Sequence, residues 1–170
     1  MIYISTHRHW GDIRKLLEQD ILCDSLRGRV RYFATRYRQA HDQTGRVCIL
    51  IDDEEIISMP FQTENEIYSE VYRRWPGSGK SRAELTGEVS EEFHERGIYY
   101  PGDFGDALDE FLSNQISDSL CSDNWLVRLL AILDRRTGKR NLVKLKDELH
   151  SLPDWLQYFY RLRLESEHLL

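Results

Sequence analysis

Cysteine is scarce and unpatterned in this chain of 170 residues. Cys23, Cys48 and Cys121 form an odd set with no CxxC pair and no histidines at ligand spacing, which speaks against a disulfide framework and against a structural zinc site. Buried thiols in a reducing compartment are the expectation. Long apolar runs are also missing: the longest are a handful of residues, against the roughly 20 that a membrane helix needs. The N-terminal MIYISTHRHW lacks the basic-then-apolar order of a signal peptide. A soluble cytoplasmic protein without membrane association is therefore expected. Catalytic signatures are lacking too. There is no GxSxG elbow, no HExxH spacing and no cysteine with a catalytic flank; His7 and His9 flank Arg8, while His41, His94, His150 and His168 stand alone. No catalytic residue, metal or cofactor follows from this pattern, and the reading leans away from an enzyme.

What the chain does have is an uneven charge. The net charge of −6 divides into +4 over residues 1–50, −13 over 51–123 and +3 over 124–170. The three segments can simply attract one another in the fold, or they can present two faces, one for an anionic partner and one for a cationic one.

The periodicity is helical from Trp10 to Leu22, where Ile13, Leu16, Leu17 and Ile21 recur with Arg14, Lys15 and Glu18 between them. RVRYFATRYR (29–38), the turn HDQTG and RVCILID (46–52) predict a β-hairpin, and a tight turn at Asp53 and Glu54 returns EIISM (55–59) as a third antiparallel strand. Thr63 and Glu66 have capping-box spacing before a helix with Ile67, Val71 and Trp75 on one side and Pro76-Gly77 at its end. Residues 76–102 read as a mobile connection with one short helix around Ser90 to Arg96. Helices follow to the C-terminus: one capped by Asp103 with Phe104, Ala107, Leu108, Phe111 and Leu112, one capped by Asp123 over NWLVRLLAILDRR, then GKRNLVKLKDELH, then a helix opened by Pro153. The expected fold class is α+β, a small three-stranded antiparallel sheet packed against a mostly helical C-terminal half, in a single domain.

Among the motifs, GSGKS (77–81) has the look of a phosphate loop. A true loop needs glycine four residues before the Gly-Lys pair, and a buried strand leading into it; Arg74 stands at the glycine position and the helical TENEIYSEVYRRW precedes it. A helix stop with Lys80 and Arg82 in solvent is expected. In RGRVRYFATRYR, strand alternation sends Val30, Tyr32 and Ala34 to one face and Arg29, Arg31, Phe33, Thr35 and Tyr37 to the other. That describes a core face backed by a solvated arginine face, or a surface that stacks bases and holds phosphates. Asp52, Asp53, Glu54 and Glu55 read as a solvated turn rather than a metal cluster. The densest basic stretch is LDRRTGKRNL (133–142), where Arg135, Arg136, Lys139 and Arg140 gather around a helix–turn–helix corner. Cations at a helix C-terminus and a glycine at its end explain such a corner locally, and four cations on one turn also suit a phosphate or carboxylate.

LRGRVRYFATRYR, GRVCILIDDEEI, SDNWLVRLLAILDRRTGKRNLVKL and PDWLQYFYRLRLESE together resemble a family of small bacterial proteins of unknown function marked by an LDRR-x-GKR corner. The likeness covers roughly half the chain. It implies a bacterial cytosolic protein with a hairpin-then-helices layout, and carries no activity to any residue. DNWLVRLLA is also similar to part of a HEAT-type helical repeat, although one unit makes no solenoid. The functional expectation is a protein-binding module, such as an immunity or antitoxin-like inhibitor, with an acidic surface including Asp52, Asp53, Glu54, Glu91 and Glu92 that takes a basic protein partner. The alternative is a nucleic-acid-associated protein using Arg29 and Arg31 of the hairpin with Arg135, Arg136, Lys139 and Arg140 of the corner.

Overall fold

The first helix, α1 (Trp10–Lys15), continues through Leu16–Asp20 as a wider π-type turn in which Ile21 N–H bonds the Leu16 carbonyl at 3.0 Å. Ile13 and Leu17 are buried and Leu16 and Ile21 half-buried, as the spacing predicts, although the helix stops at Asp20 rather than Leu22. In a computed structural model of the chain, residues 8–36, 38–39 and 44–170 are described. The expected HDQTG turn, His7, His41 and the Tyr37 side chain lie wholly or partly outside them.

Strands β1 (Val30–Arg36), β2 (Thr44–Ile51) and β3 (Glu54–Pro60) form an antiparallel sheet in the order β1-β2-β3. Pairing of Tyr32 with Ile49 and of Ile49 with Ile57 puts an unbroken apolar row on one face, and all three are buried. The opposite face carries Arg31 and Phe33, both exposed, as the alternation predicts. The β2–β3 turn falls one residue earlier than expected. Asp52 and Asp53 have φ of 51° and 67°, the left-handed pair that suits the twist of a two-residue hairpin, and aspartate tolerates that region better than most residues.

Helices α4 (Pro101–Ser113), α6 (Trp125–Leu133) and α8 (Asp154–Ser166) enclose the main core, with α5 (Ile116–Leu120) and α7 (Lys139–Glu148) between them. Phe104 of α4 meets Tyr32 of the sheet and Trp10 of α1 at ring distances of 6.1 and 6.5 Å. The middle helix is apolar nearly all round: only Trp125 and Arg128 of α6 escape full burial, as a helix packed on several sides requires. Each fully buried leucine or phenylalanine contributes about 1.5–3 kcal/mol. The caps of α4 and α6 differ from expectation, by three residues and by one. Asp103 lies in the first turn of α4, accepting from Tyr100 N at 3.0 Å, and Asn124 rather than Asp123 caps α6 through Leu126 N at 3.1 Å.

The largest departure is in residues 62–95. Helix α2 (Gln62–Arg74) starts before the predicted Thr63 cap, and Thr63 is buried inside it. A second helix of 14 residues, α3 (Arg82–Glu95), occupies the expected mobile connection. The sequence carries its capping box at Ser81 and Glu84: Ser81 N donates to Glu84 Oε2 at 2.8 Å, and Glu84 N returns a bond to Ser81 Oγ at 3.2 Å. Ile67, Val71, Leu85 and Val89 form a small core of their own between α2 and α3. Trp75, expected beside Ile67 and Val71, is exposed.

Candidate functional site

The predicted surfaces are largely spent inside the molecule. Arg29 forks onto Asp52 with bonds of 2.9 and 2.8 Å, and Arg31 reaches Asp53 at 2.7 Å. Two of the six residues of the expected nucleic-acid face thus neutralise two of the five of the expected acidic face. The Arg29 guanidinium holds the Asp52 carboxyl below the usual carboxylate range. Glu54 remains exposed beside that turn. Glu92 is gripped by Arg74 at 2.7 and 2.8 Å, and Arg74 and Arg73 share Glu70. The two guanidiniums push the Glu70 carboxyl down to about 2 from an ordinary 4.5. Such a depressed carboxyl contributes stability that is complete above pH 4.5 and fades as pH falls toward 2. An NMR titration of the Glu70 carboxyl is expected to show a midpoint near 2; a midpoint near 4.5 would mean that neither arginine engages it in solution.

The GSGKS stretch joins α2 to α3, two helices, where a phosphate loop would join a strand to a helix. Its lysine is exposed, as expected, but it is paired: Lys80 Nζ sits 2.6 Å from both oxygens of Glu88, and Ser81 is occupied by its cap.

The LDRRTGKR corner divides into two sets. Asp134 and Thr137 are buried; Asp134 accepts from Arg136 N at 2.6 Å and from the Arg136 guanidinium at 2.9 and 2.7 Å, while Thr137 Oγ1 donates to the Ala131 carbonyl at 2.6 Å. Arg163 of α8, only 3% exposed, donates to the Thr137 carbonyl, to Ser25 Oγ and to Glu167. Backbone bonds from Cys23 N to the Leu133 carbonyl and from Arg135 N to the Ile21 carbonyl lace the N-terminal segment to the same corner. The side chains of Arg135, Lys139 and Arg140 point to solvent, Lys139 at 4.0 Å from Glu167.

A cleft of about 410 Å³ lies where the C-terminal end of α3 meets the α5–α6 turn, lined by Glu91, His94, Glu95, Asp123, Asn124 and Trp125. Its floor is held rigidly. The His94 ring stacks on Tyr99 at 4.4 Å, Tyr99 meets Trp155 edge-on at 5.6 Å, and the Trp155 indole N–H donates to the His94 carbonyl at 3.1 Å. His94 Nε2 is 3.3 Å from Asp103 Oδ2, within ion-pair reach but off the hydrogen-bond line. Gly97 makes the close approach possible: its φ is +72°, and a Cβ there would sit 2.9 Å from the Trp155 ring. Across the cleft, Arg128 lies 5.0 Å from the Trp125 ring centre and donates to the Ser122 carbonyl at 2.6 Å. Ser122 in turn receives Asn124 N and donates to Glu110 at 2.6 Å.

The electrostatics of this cleft set it apart. Glu91, Glu95 and Asp123 are exposed, and none of them makes an ion pair among the described residues. Three carboxylates without an ion pair, beside a half-buried indole that already carries Arg128 on its ring, favour a cation by charge. Of the residues expected from sequence, only Glu91 belongs here. His94, Glu95, Asp123 and Trp125 were not anticipated: Glu91 and Glu95 have the i, i+4 spacing that would have paired them on one helix face, but Asp123 joins them only through the packing of α3 beside the α5–α6 turn.

Fold and site together define an α+β protein with an acidic, tryptophan-edged cleft and no membrane-length apolar helix among the described residues. The chain belongs to the SF0329 protein family, whose model matches residues 9–164 and so includes the corner, the sheet and the cleft. No curated protein and no solved structure matches it.

Proposed function

We propose that this chain is a non-enzymatic binding module of the bacterial cytoplasm that holds a basic segment of a protein partner in its acidic cleft, in the manner of an immunity protein or antitoxin. The carrying observation is that Glu91, Glu95 and Asp123 line one cleft and make no ion pair among the described residues, whereas Asp52, Asp53, Glu70, Glu88 and Glu92 are each spent on an internal cation. An arginine or lysine of a partner entering the cleft gains three carboxylates at a site already ordered by the His94–Tyr99–Trp155 stack, so little conformational entropy is lost on binding. Three unpaired cysteines, two of them buried, agree with a reducing compartment.

A second reading is favoured by one feature. Helix α7 begins at Gly138 with no side-chain cap and no acid in its first turn, beside the exposed Arg135, Lys139 and Arg140, which is a setting for a phosphate. One calorimetric experiment separates the two. A hexa-arginine peptide at low ionic strength is expected to bind, and the triple variant Glu91→Gln, Glu95→Gln, Asp123→Asn to bind it about tenfold more weakly or worse, since each exposed pair contributes about 0.2–1 kcal/mol. Unchanged affinity in the triple variant would remove the cleft from the account. Binding of duplex DNA that Arg135→Ala with Arg140→Ala abolishes would favour the second reading instead.

A further inference from the structure

The α2–α3 hairpin carries an aromatic ridge that its own core does not use. Tyr68, Tyr72 and Trp75 recur at i, i+4 and i+7 along α2 and are 42%, 51% and 44% exposed. Exposed aromatics in a contiguous row mark an interaction surface more often than a solvated one. Beside the ridge, a shallow dimple of about 30 Å³ is lined by Glu64, Ile67, Tyr68, Thr86, Ser90 and Tyr100. The charges at its two ends are opposite. Glu64 stands at the N-terminal end, and Arg82 lies over the Tyr72 ring at 4.8 Å near the other. Neither makes an ion pair among the described residues.

We infer that this face pairs with a second copy of itself in a two-fold dimer centred on Tyr68. A two-fold axis requires that a surface complement itself, each contact occurring twice, and this one does. Turning the hairpin about Tyr68 sets Tyr72, four residues along, opposite Glu64, four residues back. The Tyr72 ring of one copy lies across the Glu64–Tyr68 surface of the other, and the Arg82 that covers that ring meets the partner's Glu64. The same ion pair forms again on the other side of the axis, about 6 Å along the helix from the centre. A different protein would have to supply the ring and both charges in this order; a second copy already has them. The cleft residues take no part, so this inference stands or falls apart from the proposed function.

Sedimentation equilibrium of the full chain tests it. The wild type is expected to be a dimer at micromolar concentration, and Tyr72→Glu to raise the dissociation constant by about tenfold or more. Glu64→Arg and Arg82→Glu are each expected to weaken the dimer, and the double variant carrying both to recover it, because the exchanged charges again face each other. All three positions lie at the surface or its margin, and unchanged circular dichroism melting confirms that each variant folds. A wild type monomeric up to about 1 mM, a dimer indifferent to Tyr72→Glu, or a double variant weaker than both singles would each overturn the proposal.

Discussion

Replacing Arg163 with alanine is expected to destabilise the fold by about 3–5 kcal/mol, the cost of breaking a buried charge pair from one side. The guanidinium is only 3% exposed, and it ties three separate parts of the chain: Ser25 in the segment before β1, Thr137 of the corner and Glu167 at the end of α8. Its removal leaves the Glu167 carboxylate and the Thr137 carbonyl without their charged donor. Ser25 Oγ also approaches Ser166 Oγ at 2.9 Å and Glu167 at 3.1 Å, so the loss spreads through a connected set. Urea unfolding measures the effect, and the pair substitution Arg163→Met with Glu167→Leu supplies the control. If the cost comes from an unpaired buried charge, removing both partners restores most of the stability. An Arg163→Ala variant with an unchanged midpoint would show that the network is not formed in solution.

The second large effect concerns the basic corner. Asp134→Ala is expected to cost about 2–3 kcal/mol, because the buried carboxylate satisfies the Arg136 N–H and holds its guanidinium. Arg135→Ala, one position away and exposed, is expected to change stability by no more than about 0.5 kcal/mol. The contrast separates the two arginines of one dipeptide: Arg136 builds the corner, and Arg135 decorates it. Equal effects at both positions, measured by the same unfolding assay, would contradict this division.

These two sites also show where sequence reading reached and where it stopped. Strand alternation placed Tyr32 inward and Phe33 outward correctly, because side-chain direction in a strand follows from chain geometry alone. Helices α6 and α8 were legible from their apolar spacing and nearby caps. Helix α3 was expected only as a short helix around Ser90 to Arg96, although Ser81 and Glu84 carry the signature of its true start. Gly77 and Gly79 lie just before it, at φ of +81° and +69°, and their weight as helix breakers hid a cap that begins only two residues later. The acidic and basic patches were visible as charge counts, but no count shows that Arg29 lies against Asp52.

Local rules therefore determined much of this protein by themselves: the α+β class, the three antiparallel strands, the inward rows of the sheet and the rejection of GSGKS as a phosphate loop. Backbone geometry and side-chain periodicity act over a few residues, and a sequence displays that range directly. Only the tertiary structure decided which charges remain available. It cancelled Asp52 and Asp53 against Arg29 and Arg31, buried Asp134 and Arg163 as structural ions, and brought Asp123 to Glu91 and Glu95. Electrostatic interaction depends on distance in space and on burial, and neither is written in the spacing of residues along the chain.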